Sequence, residues 1–330
     1  MKRSILVVFG CVVAVLAVVA LGLPFLLETE HRDVDDAFRA KAPGQFVELT
    51  HGQVYYQWGE NTEGESTEDE STEGENGRVA VLVHGFSTPS FIWSPLFERM
   101  AEAGIRVLRY DLYGRGYSDR PDTTYDRKLY EEQLNELLAA LDIREPVDLV
   151  GLSMGGAVVA CFAATYPEKV DRMVFVDPFI GPVDAGPVTL PFVGEYLARV
   201  FFAPKLPQRQ LRSFYRPEKA DPALLDLFTE QMSYRGYRRS LLRSLNQFMS
   251  DDLSGAFAEA GRHGKPALLI WGRQDVVVPF AEHERILEPL GAELLAVDDA
   301  GHVPYLEQPE IVEPRILEFL ASNTDLSTGD

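Results

Sequence analysis

Cysteine is nearly absent from this chain of 330 residues, which has two. Cys11 lies in an apolar N-terminal run and Cys161 in a segment that reads as a buried helix, so the two have no reason to meet and a disulfide framework is not expected. Cysteine and histidine do not cluster at metal-ligand spacing, which argues against a zinc site. Lysine is scarce too, seven against 24 arginines, and 51 acidic residues bring the net charge to −20. Such a surface repels polyphosphate, so nucleic acid is not an expected partner. Acid-rich and lysine-poor, it suits high salt, where counterions screen its self-repulsion. There are six histidines, so the search for a basic residue is short.

What the N-terminus does have is a long apolar run. Ser4 to Leu27 carry no charge over 24 positions and follow Lys2 and Arg3. About 20 apolar residues span a bilayer core, whereas a signal peptide needs roughly 7–15. Residues 1–27 therefore read as a single-pass anchor, with secretion or a periplasmic location after cleavage as the alternative. The basic residues before the run and the acidic "ETEHRDVDD" after it place the body outside the cytoplasm. A polar linker, 28–44, leads to "QFVELTHGQVYYQWG", two short strands meeting at His51-Gly52. Residues 60–77 hold eight acidic residues and no apolar ones, and they read as a disordered acidic insertion.

From Arg78 onward, continuous apolar strands alternate with amphipathic helices, the pattern of a parallel sheet covered on both faces. The fold class is α/β, a mostly parallel, doubly wound sheet whose ligands bind at the carboxyl ends of the strands. The alternation runs through 45–180, breaks over 181–263, and resumes through 264–322 before a short tail, 323–330. The break reads as a helical cap. Between Arg199 and Arg243 it carries ten basic and four acidic residues, a surface that could face anionic lipid beside the anchor.

The chemistry points to "VGLSMGG", residues Val150–Gly156. Ser153 falls where the strand "PVDLVGL" gives way to the helix "MGGAVVACFAATY", a sharp turn that projects the hydroxyl above the sheet. Bulk at 151 or 155 would collide with the neighbouring strand and helix. A serine hydroxyl needs a base, oriented in turn by a third group. His302, in "DAGHVPYLEQP", lies in the loop between the last strand and the last helix, on the same sheet edge. His84 sits in "HGFS" and reads as a brace for that loop. The acid is Asp275, in "WGRQDVVVP", by the chain order Ser…Asp…His, with Asp177 in "VFVDP" as the alternative. The backbone N–H groups of Met154 and Phe86 are the expected oxyanion donors. Asp111, in "YDLYGRGYSD", reads as an anchor for a glycine-rich loop.

These residues resemble the α/β-hydrolase family: "HGF", "GLSMGG", "GRQD" and "AGH" occur in the expected order, and the likeness covers Phe46 to Ser322. It implies a Ser153–His302–Asp275 triad, acyl-enzyme chemistry and no cofactor. Relatives that open epoxides or remove halide use Asp where this chain has Ser153. Those that carry an "HGG"-type loop have a second glycine where this chain has Phe86. With an apolar cap, the chain is most similar to esterases and monoacylglycerol-lipase-like members acting on apolar esters. Carbon–carbon-bond or lactone hydrolysis with the same triad is one alternative, and a catalytically silent receptor or scaffold is another.

Overall fold

The computed structural model describes residues 9, 11, 22–24, 26–59, 78–190 and 193–322. The acidic insertion at 60–77, the tail at 323–330 and most of the apolar run before residue 27 lie outside the described residues. Among the described residues, no helix is long and apolar enough to cross a membrane.

Eight strands form one sheet in the order β1-β2-β4-β3-β5-β6-β7-β8. They are β1 (Gln45–Leu49), β2 (Gly52–Trp58), β3 (Val79–Val83), β4 (Arg106–Tyr110), β5 (Val147–Leu152), β6 (Val170–Val176), β7 (Ala267–Gly272) and β8 (Glu293–Val297). β1 and β2 form the antiparallel hairpin and β2 pairs antiparallel with β4, whereas every pairing from β4 through β8 is parallel. The strand order reverses at β3, which lies between β4 and β5, the kind of place where α/β sheets open a crevice at their carboxyl ends.

Side chains along β3 alternate between two cores, as a period of two requires. Val79, Val81 and Val83 pack into one, together with the helices Arg127–Ala140, Met154–Thr165 and Ser254–Arg262. Ala80 and Leu82 pack into the other, with the helices Ser94–Glu102 and Pro309–Ala321. In the helix Met154–Thr165 every residue from Met154 to Ala163 is buried. It is apolar all round because it is enclosed, not because it is amphipathic.

Two parts differ from the sequence reading. Ser254–Arg262, taken there as the end of the cap, packs on the helix Met154–Thr165 and sets Phe257 against Phe175 of β6, with ring centroids 5.4 Å apart. It therefore covers the sheet, and the insertion closes at Leu253. Between β7 and β8 the alternation calls for one amphipathic helix, but the chain there forms a 3₁₀ segment, Phe280–Arg285, followed by a single α turn, Leu287–Leu290. Pro279 before it and Pro289 within it limit the N–H groups available to a longer α-helix.

Residues 28–39 are not a free linker. The backbone N–H groups of His31 and Arg32 donate to Ser233 O, and Arg235 N–H donates back to Arg32 O. The Glu30 carboxylate accepts the backbone N–H groups of Gly236 and Arg238, at the start of the cap helix Tyr237–Gln247. A carboxylate there satisfies orphan donors and meets the positive end of the helix dipole. Glu28 pairs with Arg199 and Arg238 at 3.0 Å each, and Asp33 with Arg235 at 2.7 Å. Phe38 is buried against Tyr117 and Tyr234. Much of the cap's positive charge is thus met by the acidic stretch that precedes β1.

Candidate active site

Ser153 occupies the turn between β5 and the helix Met154–Thr165 at φ 53° and ψ −120°. Non-glycine residues hold such a conformation only where the surroundings impose it. Here three main-chain bonds do so: Ser153 N–H donates to Val176 O, and its carbonyl accepts from Gly156 and Phe179, each at 2.9 Å. The flanking glycines are required by space. A Cβ on Gly155 would lie 2.2 Å from Val83 O, and one on Gly151 would lie 2.6 Å from Gly155 O.

His302 and Asp275 come from the loops after β8 and β7, and the imidazole Nδ1 lies 2.7 Å from Asp275 Oδ2. Both residues are buried. The second carboxylate oxygen accepts the backbone N–H groups of Val277 and Val278, at 2.7 and 3.0 Å, which fixes its orientation. With Nδ1–H given to the carboxylate, Nε2 is left as the basic nitrogen. Ser153 and His302 line the same cavity. No direct hydrogen bond joins the Ser153 hydroxyl to the ring, a contact that often closes only around substrate.

Asp177, the alternative acid, is fully buried, and its Oδ1 accepts Gly272 N–H at 2.9 Å. One ligand atom each from Asp177, Asp275 and His302 lie within 4.8 Å of one another. Burial, and then the neighbouring Asp275 charge, push the Asp177 carboxyl well above the usual carboxylate range. Asp275, not Asp177, is the carboxylate bonded to the ring. The other oxygen of Asp177 is buried without a hydrogen-bond partner among the described residues.

The Phe86 and Met154 N–H groups have no acceptor among the described residues. Phe86 O accepts Arg115 Nε at 2.8 Å, and the same buried guanidinium donates to Tyr113 O, Tyr130 Oη and the Ser244 hydroxyl. Arg115 thereby fixes the peptide at residue 86 and ties it to the cap. His84 is a brace. Its Nε2 accepts Leu112 N–H at 2.9 Å, its Nδ1 lies 2.8 Å from Gly85 O, and burial lowers its pKa to about 3. Asp111 accepts the Ser90 N–H and hydroxyl on one oxygen and Tyr117 N–H on the other, anchoring the 114–117 loop.

Sequence reasoning missed Arg115 and Gln210. Gln210 Nε2 donates to the Ser87 hydroxyl at 2.6 Å, joining the cap to the loop after β3. The signal for Arg115 was "GRG" directly after a buried parallel strand, since an arginine between two glycines there has room to turn inward. Gln210 carries no comparable signal.

The cavity has a volume of about 880 Å³ and is walled by Phe179, Ile180 and Val183 after β6 and by Phe202, Leu206, Leu245 and Met249 of the cap. That size and lining suit a largely apolar ligand with a few oriented polar groups.

Residues 80–315 match the model of the alpha/beta hydrolase family, and the chain belongs to that family. Lipase 3 of a Moraxella species is 26% identical over 238 residues, which cover 70% of this chain and 73% of that protein. A 2-hydroxy-6-oxononadienedioate/2-hydroxy-6-oxononatrienedioate hydrolase of Escherichia coli is 26% identical over 259 residues, 75% of this chain and 88% of the relative. Among solved structures, the enol-lactonase of Burkholderia xenovorans superposes with a TM-score of 0.69 at 20% identity, over 84% of this chain and 100% of the other. The chain is a hydrolase by family and by the relatives it resembles.

Proposed function

We propose that this protein is a serine hydrolase of carboxylic esters with an apolar acyl chain. Ser153 attacks the ester carbonyl while His302 takes the hydroxyl proton and then delivers it to the departing alcohol. Asp275 holds the ring and stabilises its charged form, and water releases the acid by the same route. The N–H groups of Phe86 and Met154 receive the charge that develops on the carbonyl oxygen. The observation that carries this reading is the buried 2.7 Å pair of Asp275 and His302, on a cavity lined also by a serine in a strained turn. The lipase among the relatives supports it.

The test is labelling by a fluorophosphonate probe and turnover of a panel of p-nitrophenyl esters and monoacylglycerols. Both should be present in the native chain and absent in Ser153→Ala. A chain inert to probe and panel overturns the reading and leaves the scaffold alternative. Faster turnover of a vinylogous diketo acid than of any ester would instead assign it to carbon–carbon-bond hydrolysis. Tethering by residues 1–27 rests on their composition alone. Its test is whether the full chain stays with membranes through an alkaline carbonate wash.

A further inference from the structure

The cap insertion, 181–253, together with Ser254–Arg262, contains nine arginines. Seven of them have a carboxylate within 4.0 Å: Arg199, Arg216, Arg235, Arg238, Arg239, Arg243 and Arg262. In a chain with 51 acidic and 31 basic residues, that is the expected outcome. Arg209 and Arg212 are the exceptions, since among the described residues neither has an acidic partner. Both line the cavity.

Their place in the site is fixed from two sides. The short helix Leu206–Leu211 carries Gln210, bonded to the Ser87 hydroxyl and accepting from the Thr88 hydroxyl, just after the oxyanion residue Phe86. Ser213, next to Arg212, accepts the backbone N–H of His302 at 2.7 Å. Spaced three apart, Arg209 and Arg212 lie on one face of that turn. The Arg209 guanidinium sits 4.9 Å from the centre of the Phe202 ring, and among the described residues its side-chain N–H groups have no hydrogen-bond acceptor. The other charges on the cavity wall are Glu282, Arg285 and Asp184, of which Asp184 has no cationic partner among the described residues. Glu282 pairs with Arg285, Arg285 also with Asp252, and Asp184 accepts Gly186 N–H.

We infer that the substrate is an acyl ester whose alcohol carries an anionic group, a phosphate or a carboxylate, bound by Arg209 and Arg212. The inference rests on the proposed ester hydrolysis and adds its leaving-group specificity. His302 gives its proton to the leaving alcohol, so a positive pair carried on the segment bonded to His302 lies on the alcohol side. The walls after β6 and along the cap helix Tyr237–Gln247 are left for the acyl chain. Two guanidinium groups match the bidentate geometry of phosphate and carboxylate. They also offset the repulsion that a surface of net charge −20 exerts on an anion.

The test compares kcat/KM of the full chain for three soluble octanoyl esters of one acyl chain: of glycerol, of glycerol 3-phosphate and of glyceric acid. The native chain should prefer at least one anionic ester over the neutral one by roughly tenfold at low salt, with the preference shrinking at high salt. In R209Q/R212Q the anionic-to-neutral ratio should fall to about one, and probe labelling of Ser153 reports that the site is intact. The phosphate and carboxylate arms tell which anion is preferred. A native ratio at or below one, or a ratio unchanged in the double variant, overturns the inference while turnover of the neutral ester leaves ester hydrolysis standing. A chain that hydrolyses none of the three and takes no probe overturns both.

Discussion

The sheet edge and the cap are held in different ways. At the sheet edge, Ser153, Asp275 and His302 are buried, and main-chain hydrogen bonds and glycines that admit no Cβ set their positions. The cap has its own small apolar cluster of Leu206, Phe228, Met232, Tyr237 and Leu241. Leu245, Phe248 and Met249 join it to the main core, and ion pairs add to that hold, several of them reaching the acidic segment before β1. Geometry at the sheet edge is carried by main-chain hydrogen bonds and close packing, which salt barely touches. The cap depends on charge in addition to packing.

Four changes would break or sharpen that contrast. Asp275→Asn should leave the fold in place and lower kcat on esters by on the order of 10⁴-fold, because the ring loses the group that fixes its tautomer. A drop of less than tenfold would mean that the 2.7 Å contact with His302 does not orient it. Gly155→Ala should cost about 3 kcal/mol or more in urea unfolding, since the new Cβ meets the carbonyl oxygen of β3 at 2.2 Å and neither element can yield cheaply. That loss should be the same in 0.1 and 1 M salt.

Arg238→Ala tests the cap. Its guanidinium is 7% exposed and serves Glu28 and Glu195 at 3.0 and 2.8 Å, so removal should cost about 2 kcal/mol at low salt. Here the loss should shrink in 1 M salt, and a salt-independent loss would place the cap on the same footing as the sheet. The smallest effect concerns pH. Unfolded, His84 takes up a proton near pH 6.5, whereas in the fold burial keeps it neutral down to about pH 3. Below 6.5 the unfolded state therefore binds more protons, and the stabilising share of His84 falls as pH falls, by about 1.4 kcal/mol per unit. The stability advantage of the native chain over His84→Asn should narrow by that slope between pH 6.5 and 5, as read from urea midpoints. A constant difference would show that the imidazole is charged in the fold.

Much of the architecture was legible because it is local. Strand runs such as "RVAVLVHG" and the helix after Ser153 announce themselves by composition. Chain order then brings residues 153, 275 and 302 to the carboxyl edge of a parallel sheet. What was not legible depends on partners far apart in the chain. Glu30 meets Gly236 and Arg238 more than 200 residues away, and nothing in "ETEHRDVDD" shows that it is an anchor point rather than a spacer. Arg115 meets Ser244 across 129 positions. The role of Asp177 was ambiguous for another reason. Two carboxyl groups at neighbouring strand ends look alike in sequence, and only the folded geometry shows which one meets the imidazole.

The grip of Glu28 on Arg199 and Arg238 has a consequence for the cavity. Arg199 lies three positions before Phe202, and Arg238 shares a helix with Leu245, both of which wall the cavity. Glu28 thus leans on the elements that wall the cavity. A substitution in the acidic segment would therefore be transmitted to the surroundings of the substrate.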